Sequence, residues 1–179
     1  MDAKAPIGPG WTRAAEAGLG FRRMAETDLQ FLARVYAATR TEELAATALT
    51  EQEKAAFLQS QFRAQHTHYQ KYYPDADWLI VTYGGEDIGR LYIERWPTQH
   101  RIIDIALLPE QRGKGFGEAL LRDLMDDATA VGKDVSIHVE KHNPAMRLYR
   151  RLGFVTEEDK GVYDLMRWKT PVGPYVKIA

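Results

Sequence analysis

One stretch restricts the fold more than any other. Residues 101–107 read as a strand, residues 108–114 as a tight loop, and a helix follows. The helix reading rests on Phe116, Leu120, Leu124 and Ala128, apolar at every fourth position, with Leu121 and Met125 widening the stripe. Gly132 suits the end of that helix, and residues 134–139 alternate as a second strand. A strand–helix–strand unit of this kind places its two strands parallel in one sheet. The loop and helix start carry glycines at 113, 115 and 117. Glycine lets a backbone approach a ligand closely. A helix N-terminus presents free N–H groups and the positive end of its dipole. With Arg112 and Lys114 alongside, the segment reads as a pyrophosphate cradle.

The rest of the chain supplies the surroundings. Residues 21–24 suit a short strand, and Thr27 or Asp28 caps a helix carrying Leu29, Leu32, Ala33 and Tyr36. Thr50 and Glu53 form a capping box that opens a long helix with Ala55, Leu58 and Phe62. Residues 78–83 and 88–94 are strands joined by a hairpin turn. After the crossover, Asn143 caps a helix that carries Leu148 and Leu152. Residues 154–155 and 162–168 read as two last strands with a polar loop between them. The expected fold is α/β (α+β), a mixed and mostly antiparallel sheet of about six to seven strands flanked by about four helices. Residues 20–169 form one domain in this reading. Residues 1–19, punctuated by prolines and glycines, read as a flexible arm, and residues 170–179 as a surface tail.

Composition removes several chemistries. The chain has no cysteine, so disulfides, cysteine-ligated metals and a cysteine acyl-enzyme are excluded. A net charge of −1 argues against a general nucleic-acid binder. No apolar run approaches the ~20 residues of a membrane helix, and the start lacks a secretory h-region, so a cytoplasmic protein is expected. His66 and His68 stand two apart on a helix and make a poor metal pair, so no metal is expected.

The G-x-G-x-G spacing differs from the dinucleotide G-x-G-x-x-G, and the Gly84 to Gly89 pair lacks the Lys-Ser/Thr of a P-loop. Residues 112–117 instead resemble R/Q-x-x-G-x-G/A, the acyl-CoA signature of the GNAT superfamily of N-acyltransferases. Residues 143–154 resemble that family's second signature, N-x-x-A-x-x-L-Y-x-x-x-G-F. Ala145, Leu148 and Tyr149 keep its spacing, whereas His142 takes the Asn position and Asn143 falls one residue late.

The resemblance implies an N-acetyltransferase that moves an acetyl group from acetyl-CoA to a primary amine by direct attack. It implies a V-shaped gap where the strand at 105–107 splays from that at 135–139. The backbone of Ile105, Ala106 and Leu107 would pair with pantetheine, and Leu107 N–H would polarise the thioester carbonyl. Arg112, Gly113, Lys114, Gly115, Phe116, Gly117 and Glu118 would hold the pyrophosphate, with Asn143 a further CoA contact. Tyr149 would protonate the leaving thiolate, since a phenol stays protonated at neutral pH.

For the base that takes the amine proton, His138 is the first choice, with Asp104 and Glu94 as alternatives. Strict alternation sets Asp104 opposite both Ile103 and Ile105. In the resemblance the acceptor site lies at the first two helices and their connection. Tyr36, Arg40, Glu42 and Glu43 stand there, and the paired glutamates either attract a cationic amine or form a solvated helix end. Tyr69 and Tyr92 are further lining candidates. The expected partners are acetyl-CoA and an amine-bearing acceptor, with a homodimer compatible. The rival readings are a non-catalytic CoA-binding or partner-binding module on the same fold, and a transferase for a longer acyl group.

Overall fold

The structure is a computed structural model that describes residues 11–171. Seven strands form one sheet: β1 Leu19–Arg23, β2 Asp77–Tyr83, β3 Glu86–Arg95, β4 Gln99–Leu107, β5 Asp134–Glu140, β6 Val155–Lys160 and β7 Tyr163–Trp168. Their order is β1-β2-β3-β4-β5-β7-β6. Neighbours are antiparallel except β4 and β5, the pair joined by the helical crossover, which run parallel. Among the described residues there are six α-helices: α1 Thr12–Glu16, α2 Leu29–Ala38, α3 Thr41–Ala45, α4 Glu51–Tyr72, α5 Phe116–Ala130 and α6 Met146–Arg151.

The sheet separates two apolar layers. On one face Leu79, Leu91, Ile102, Ile137 and Met166 pack with Leu120 and Leu124 of α5 and with Tyr149 of α6. On the other, Ile80 and Tyr92 pack with Leu32 of α2 and Phe62 of α4. The capping box forms as expected: Thr50 Oγ1 accepts the Glu53 N–H, and Glu53 Oε2 accepts the Thr50 N–H.

Four expectations need correction. Part of the expected arm is packed structure. Trp11 and Ala14 are buried, Trp11 Nε1 donates to Asp127, and the buried carboxylate of Asp123 accepts the N–H groups of Arg13 and Ala14. Two acids of α5 thus hold a short helix that could not stand alone. Residues 1–10 and 172–179 lie outside the described residues. The connection after α2 contains the short helix α3, anchored by the buried Leu44. β6 runs to Lys160, where a polar loop was expected. Finally, alternation fails at Ile103. Tyr92 pairs with Asp104 and Ile93 with Ile102, so Ile103 is an unpaired extra residue in a β-bulge. Ile103 packs in the α4-side layer, the side on which Asp104 meets α4, and only Ile105 lies opposite.

Candidate active site

The bulge stands where the sheet opens. The parallel ladder between β4 and β5 ends at Ile102 and Ile137. Beyond it β4 continues to Leu107, paired only with β3, and β5 continues to Glu140, paired only with β7. Residues 103–107 are half-buried along this opening. A strand edge inside a sheet carries N–H and C=O groups that need a partner, which a ligand can provide. Gly89 keeps the other side of β4 in place. A Cβ there would stand 2.3 Å from the Ala106 carbonyl oxygen.

The glycine loop expected to cradle pyrophosphate links the open end of β4 to α5. Gly115 is the N-cap of α5, with φ +81° and no side-chain cap. The first intrahelical bond runs from Ala119 N–H to Gly115 O, so the N–H groups of Phe116, Gly117 and Glu118 have no partner within the helix. A Cβ at Gly113 or Gly115 would meet nothing within 4 Å, so the ground above the loop is clear. Arg112 Nε donates to Leu107 O at 3.1 Å, and Lys114 Nζ donates to Gln111 Oε1 at 2.9 Å. Glu118 pairs with Arg122 and Arg151, and Arg122 first of all holds its carboxyl below the usual range. Asn143 Oδ1 accepts the Ala145 N–H at 2.8 Å, so its carbonyl is used locally, at the start of α6.

Tyr149, on α6, belongs to the α5-side layer, against which Ile105 and Leu107 of the open edge also pack. Its ring is buried, edge-on to Phe154 at 5.5 Å. Its hydroxyl has no hydrogen-bond partner among the described residues. Burial, reinforced by the charge of Asp104, pushes the phenol above its ordinary range. Such a group is a hydrogen-bond donor without an acceptor.

Asp104 faces the opposite side. Its Oδ2 accepts from Arg90 Nη2 at 2.8 Å and from Tyr69 Oη at 3.0 Å. Arg90 is buried, also donates to Gln65 Oε1, and stands over the Tyr92 ring. The second carboxylate oxygen, Oδ1, has no partner among the described residues. His138 is exposed on this face of β5, with Nδ1 3.0 Å from Arg101 Nη1. Arginine only donates, so Nδ1 accepts and the ring proton is on Nε2 in this pairing. Burial, then the charges of Arg101 and Lys160, lower the imidazole pKa. Glu94 accepts from Trp96 Nε1 at 2.6 Å.

The helical side is held by ion pairs. Arg40 bonds Glu140 at 2.6 Å and Glu43 at 3.3 Å, and lies over Tyr36. Tyr36 is buried against Phe62, while Glu42 is exposed. Sequence reasoning passed over Arg90 and Arg101. Their signal is a charge inside an apolar strand, since a buried charge requires a partner. No helix among the described residues is long and apolar enough to cross a membrane.

Comparison with known proteins agrees with this geometry. PaiA N-acetyltransferase from Thermoplasma acidophilum, solved with coenzyme A, superposes with a TM-score of 0.63 at 18% identity, covering 84% of this chain and 98% of that one. The histone acetyltransferase HPA2 and related acetyltransferase of Corynebacterium glutamicum gives 0.60 at 21% identity, covering 89% and 99%. The putative acetyltransferase yncA of Salmonella typhimurium, solved with acetyl-CoA, gives 0.52 at 20%, covering 85% and 94%. These likenesses show the fold. The mouse and human cysteine-rich protein 2-binding proteins are 46% identical over 50 residues, which is 28% of this chain and 6% of theirs. Residues 42–154, more than half of the chain, match the acetyltransferase (GNAT) family, and the chain belongs to that family.

Proposed function

We propose that the protein is an acetyl-CoA-dependent N-acetyltransferase acting on a primary amine by direct attack. One observation carries the reading. A phenol without an acceptor lies in the α5-side layer and a carboxylate with an unpaired oxygen lies on the α4 side of β4, the strand whose edge is open beyond Ile102. Acetyl-CoA supplies an activated thioester. The glycine loop and the N-terminus of α5 suit its pyrophosphate, since positive φ and clear ground allow backbone N–H groups to face an anion. The unladdered edge of Ile105, Ala106 and Leu107 suits its amide-bearing arm. Tyr149 donates to the sulfur as the thiolate leaves.

Asp104 is the better candidate than His138 to draw in the ammonium and take its proton. The acceptor nitrogen of His138 is already taken by the Arg101 guanidinium, which leaves that ring no lone pair for the amine proton in this pairing. Asp104 keeps one oxygen for a ligand and Arg90 beneath it fixes its position. Tyr36, Glu42 and Glu43 border the acceptor side, where Arg40 and Glu140 tie α2 and α3 to β5.

The experiment is release of free CoA from acetyl-CoA with a panel of primary amines. Tyr149→Phe should lower kcat by ~10²-fold while acetyl-CoA still binds. Asp104→Asn should lower kcat/KM by a similar order, and His138→Gln by much less. Turnover unchanged in Tyr149→Phe removes the acid. Bound acetyl-CoA with no turnover of any amine favours the non-catalytic module.

A further inference from the structure

A second charged group faces the acceptor side and has no assigned task. Arg101 precedes Asp104 by three residues on β4, at most ~10 Å along a strand. It is 6% exposed. Its Nε donates to Ser136 Oγ at 2.9 Å and its Nη1 to His138 Nδ1 at 3.0 Å. The Trp96 ring lies 4.6 Å from its guanidinium carbon. Among the described residues it has no carboxylate partner. Glu94, its cross-strand neighbour, bonds Trp96 instead. The acids on the far side, Glu157 and Asp134, are paired with Arg167. Among the described residues, three of its five N–H groups have no acceptor. Nη2 is not sealed in the interior, as Arg90 Nε is. A buried guanidinium without an anion is unfavourable unless something else provides the charge.

We propose that Arg101 is the anion-recognition point of the acceptor site, so that the acceptor is an amine bearing a carboxylate. The inference rests on the acyl-transfer reading above, which puts the reacting amine near Asp104. A single planar guanidinium matches the charge and shape of a carboxylate. Arg167, whose charge reaches Arg101, already serves two acids. The Nε2–H of His138 is a second donor beside it. Ser136 and Trp96 hold the guanidinium plane in place.

The test compares 6-aminohexanoate, hexylamine and 1,6-diaminohexane as acceptors for the wild type, Arg101→Gln and Arg101→Lys. The wild type should prefer 6-aminohexanoate, with a KM ~10-fold or more below the other two. Arg101→Gln should raise that KM alone, and Arg101→Lys should restore part of the preference. Equal KM values in the wild type, or an equal loss on all three amines in Arg101→Gln, overturn the proposal. Direct titration of 6-acetamidohexanoate onto the CoA-bound wild type separates the two readings. Saturable binding without turnover of any amine would reject acyl transfer and keep the anion site. Absence of binding would reject the anion site even if amines turn over. Should Arg101→Gln fail to fold, the wild-type preference and titration still decide.

Discussion

Replacing His100 with leucine should flatten the pH dependence of stability between pH 6.5 and 4. His100 lies on β4, is 3% exposed, and its Nδ1 has no hydrogen-bond partner among the described residues. Burial, with the charges of Arg95 and Lys133 adding, lowers its pKa from 6.5 to about 4. The unfolded chain therefore takes up this proton first as pH falls. The group's contribution is complete above pH 6.5 and is lost as the pH drops towards 4. Each pKa unit corresponds to about 1.36 kcal/mol, so the full loss is about 3 kcal/mol, of which ~2 kcal/mol falls by pH 5. Urea midpoints at pH 7.5, 6 and 5, read at constant m, provide the measurement. The packing change caused by leucine is independent of pH, so the diagnostic is how the difference between the two proteins changes. His66 and His138, also lowered by burial, titrate in both proteins and cancel. Parallel curves for the two proteins would refute the reasoning.

Gly115→Glu should abolish acetyl-CoA binding, because φ is +81° there and the new carboxylate would face the pyrophosphate. A calorimetric titration giving the wild-type Kd would sink the cradle. Gly89→Ala should destabilise the protein by ~1–3 kcal/mol and weaken acetyl-CoA binding, since the new Cβ meets the Ala106 carbonyl oxygen at 2.3 Å. A variant with unchanged melting temperature and affinity would show that β3 shifts freely. Arg90→Met should cost ~3–5 kcal/mol by leaving Asp104 without its cation, and adding Asp104→Asn should recover part of it. Strictly additive losses in the double-mutant cycle would deny the coupling.

The crossover and the glycine loop that opens α5 were legible because both are local patterns. An apolar residue every fourth position and three alternating glycines need no distant partner to be read. The packed segment at Trp11 was not, since its anchors, Asp123 and Asp127, lie more than 100 residues away. β6 was read as only two residues, 154–155, for a different reason: an edge strand exposed on both faces has no alternation to detect. Tyr149 was legible through its motif. Its missing hydrogen bond was not, because that depends on what packs around α6. Asp104 was legible as a carboxylate on a strand, but counting by twos cannot reveal a bulge. Its partners Arg90 and Tyr69 are 14 and 35 positions away. His138 was a reasonable base by type, and only the fold brings Arg101 to its Nδ1.

The bulge and the opening share one level of the sheet, and this links the two sides of the proposed reaction. Pairing with β5 ends at Ile102, and the extra residue is Ile103. A strand laddered on both sides admits no ligand. An added residue increases local twist and bends the strand that carries it, and here it falls where pairing with β5 stops. The same addition turns Asp104 towards α4, where Arg90 and Tyr69 meet it. Tyr149 arrives from the other layer, yet the charge of Asp104 contributes to its raised pKa. The two groups thus belong to separate layers on either side of β4. In the proposed reaction the amine gives up its proton on the Asp104 side and the thiolate is met on the Tyr149 side. Acid and base then need no shared face and no hydrogen bond to each other. Moving the bulge one residue towards Leu107 would turn Asp104 towards α5 and remove the carboxylate from the acceptor side, even with every side chain of the site retained.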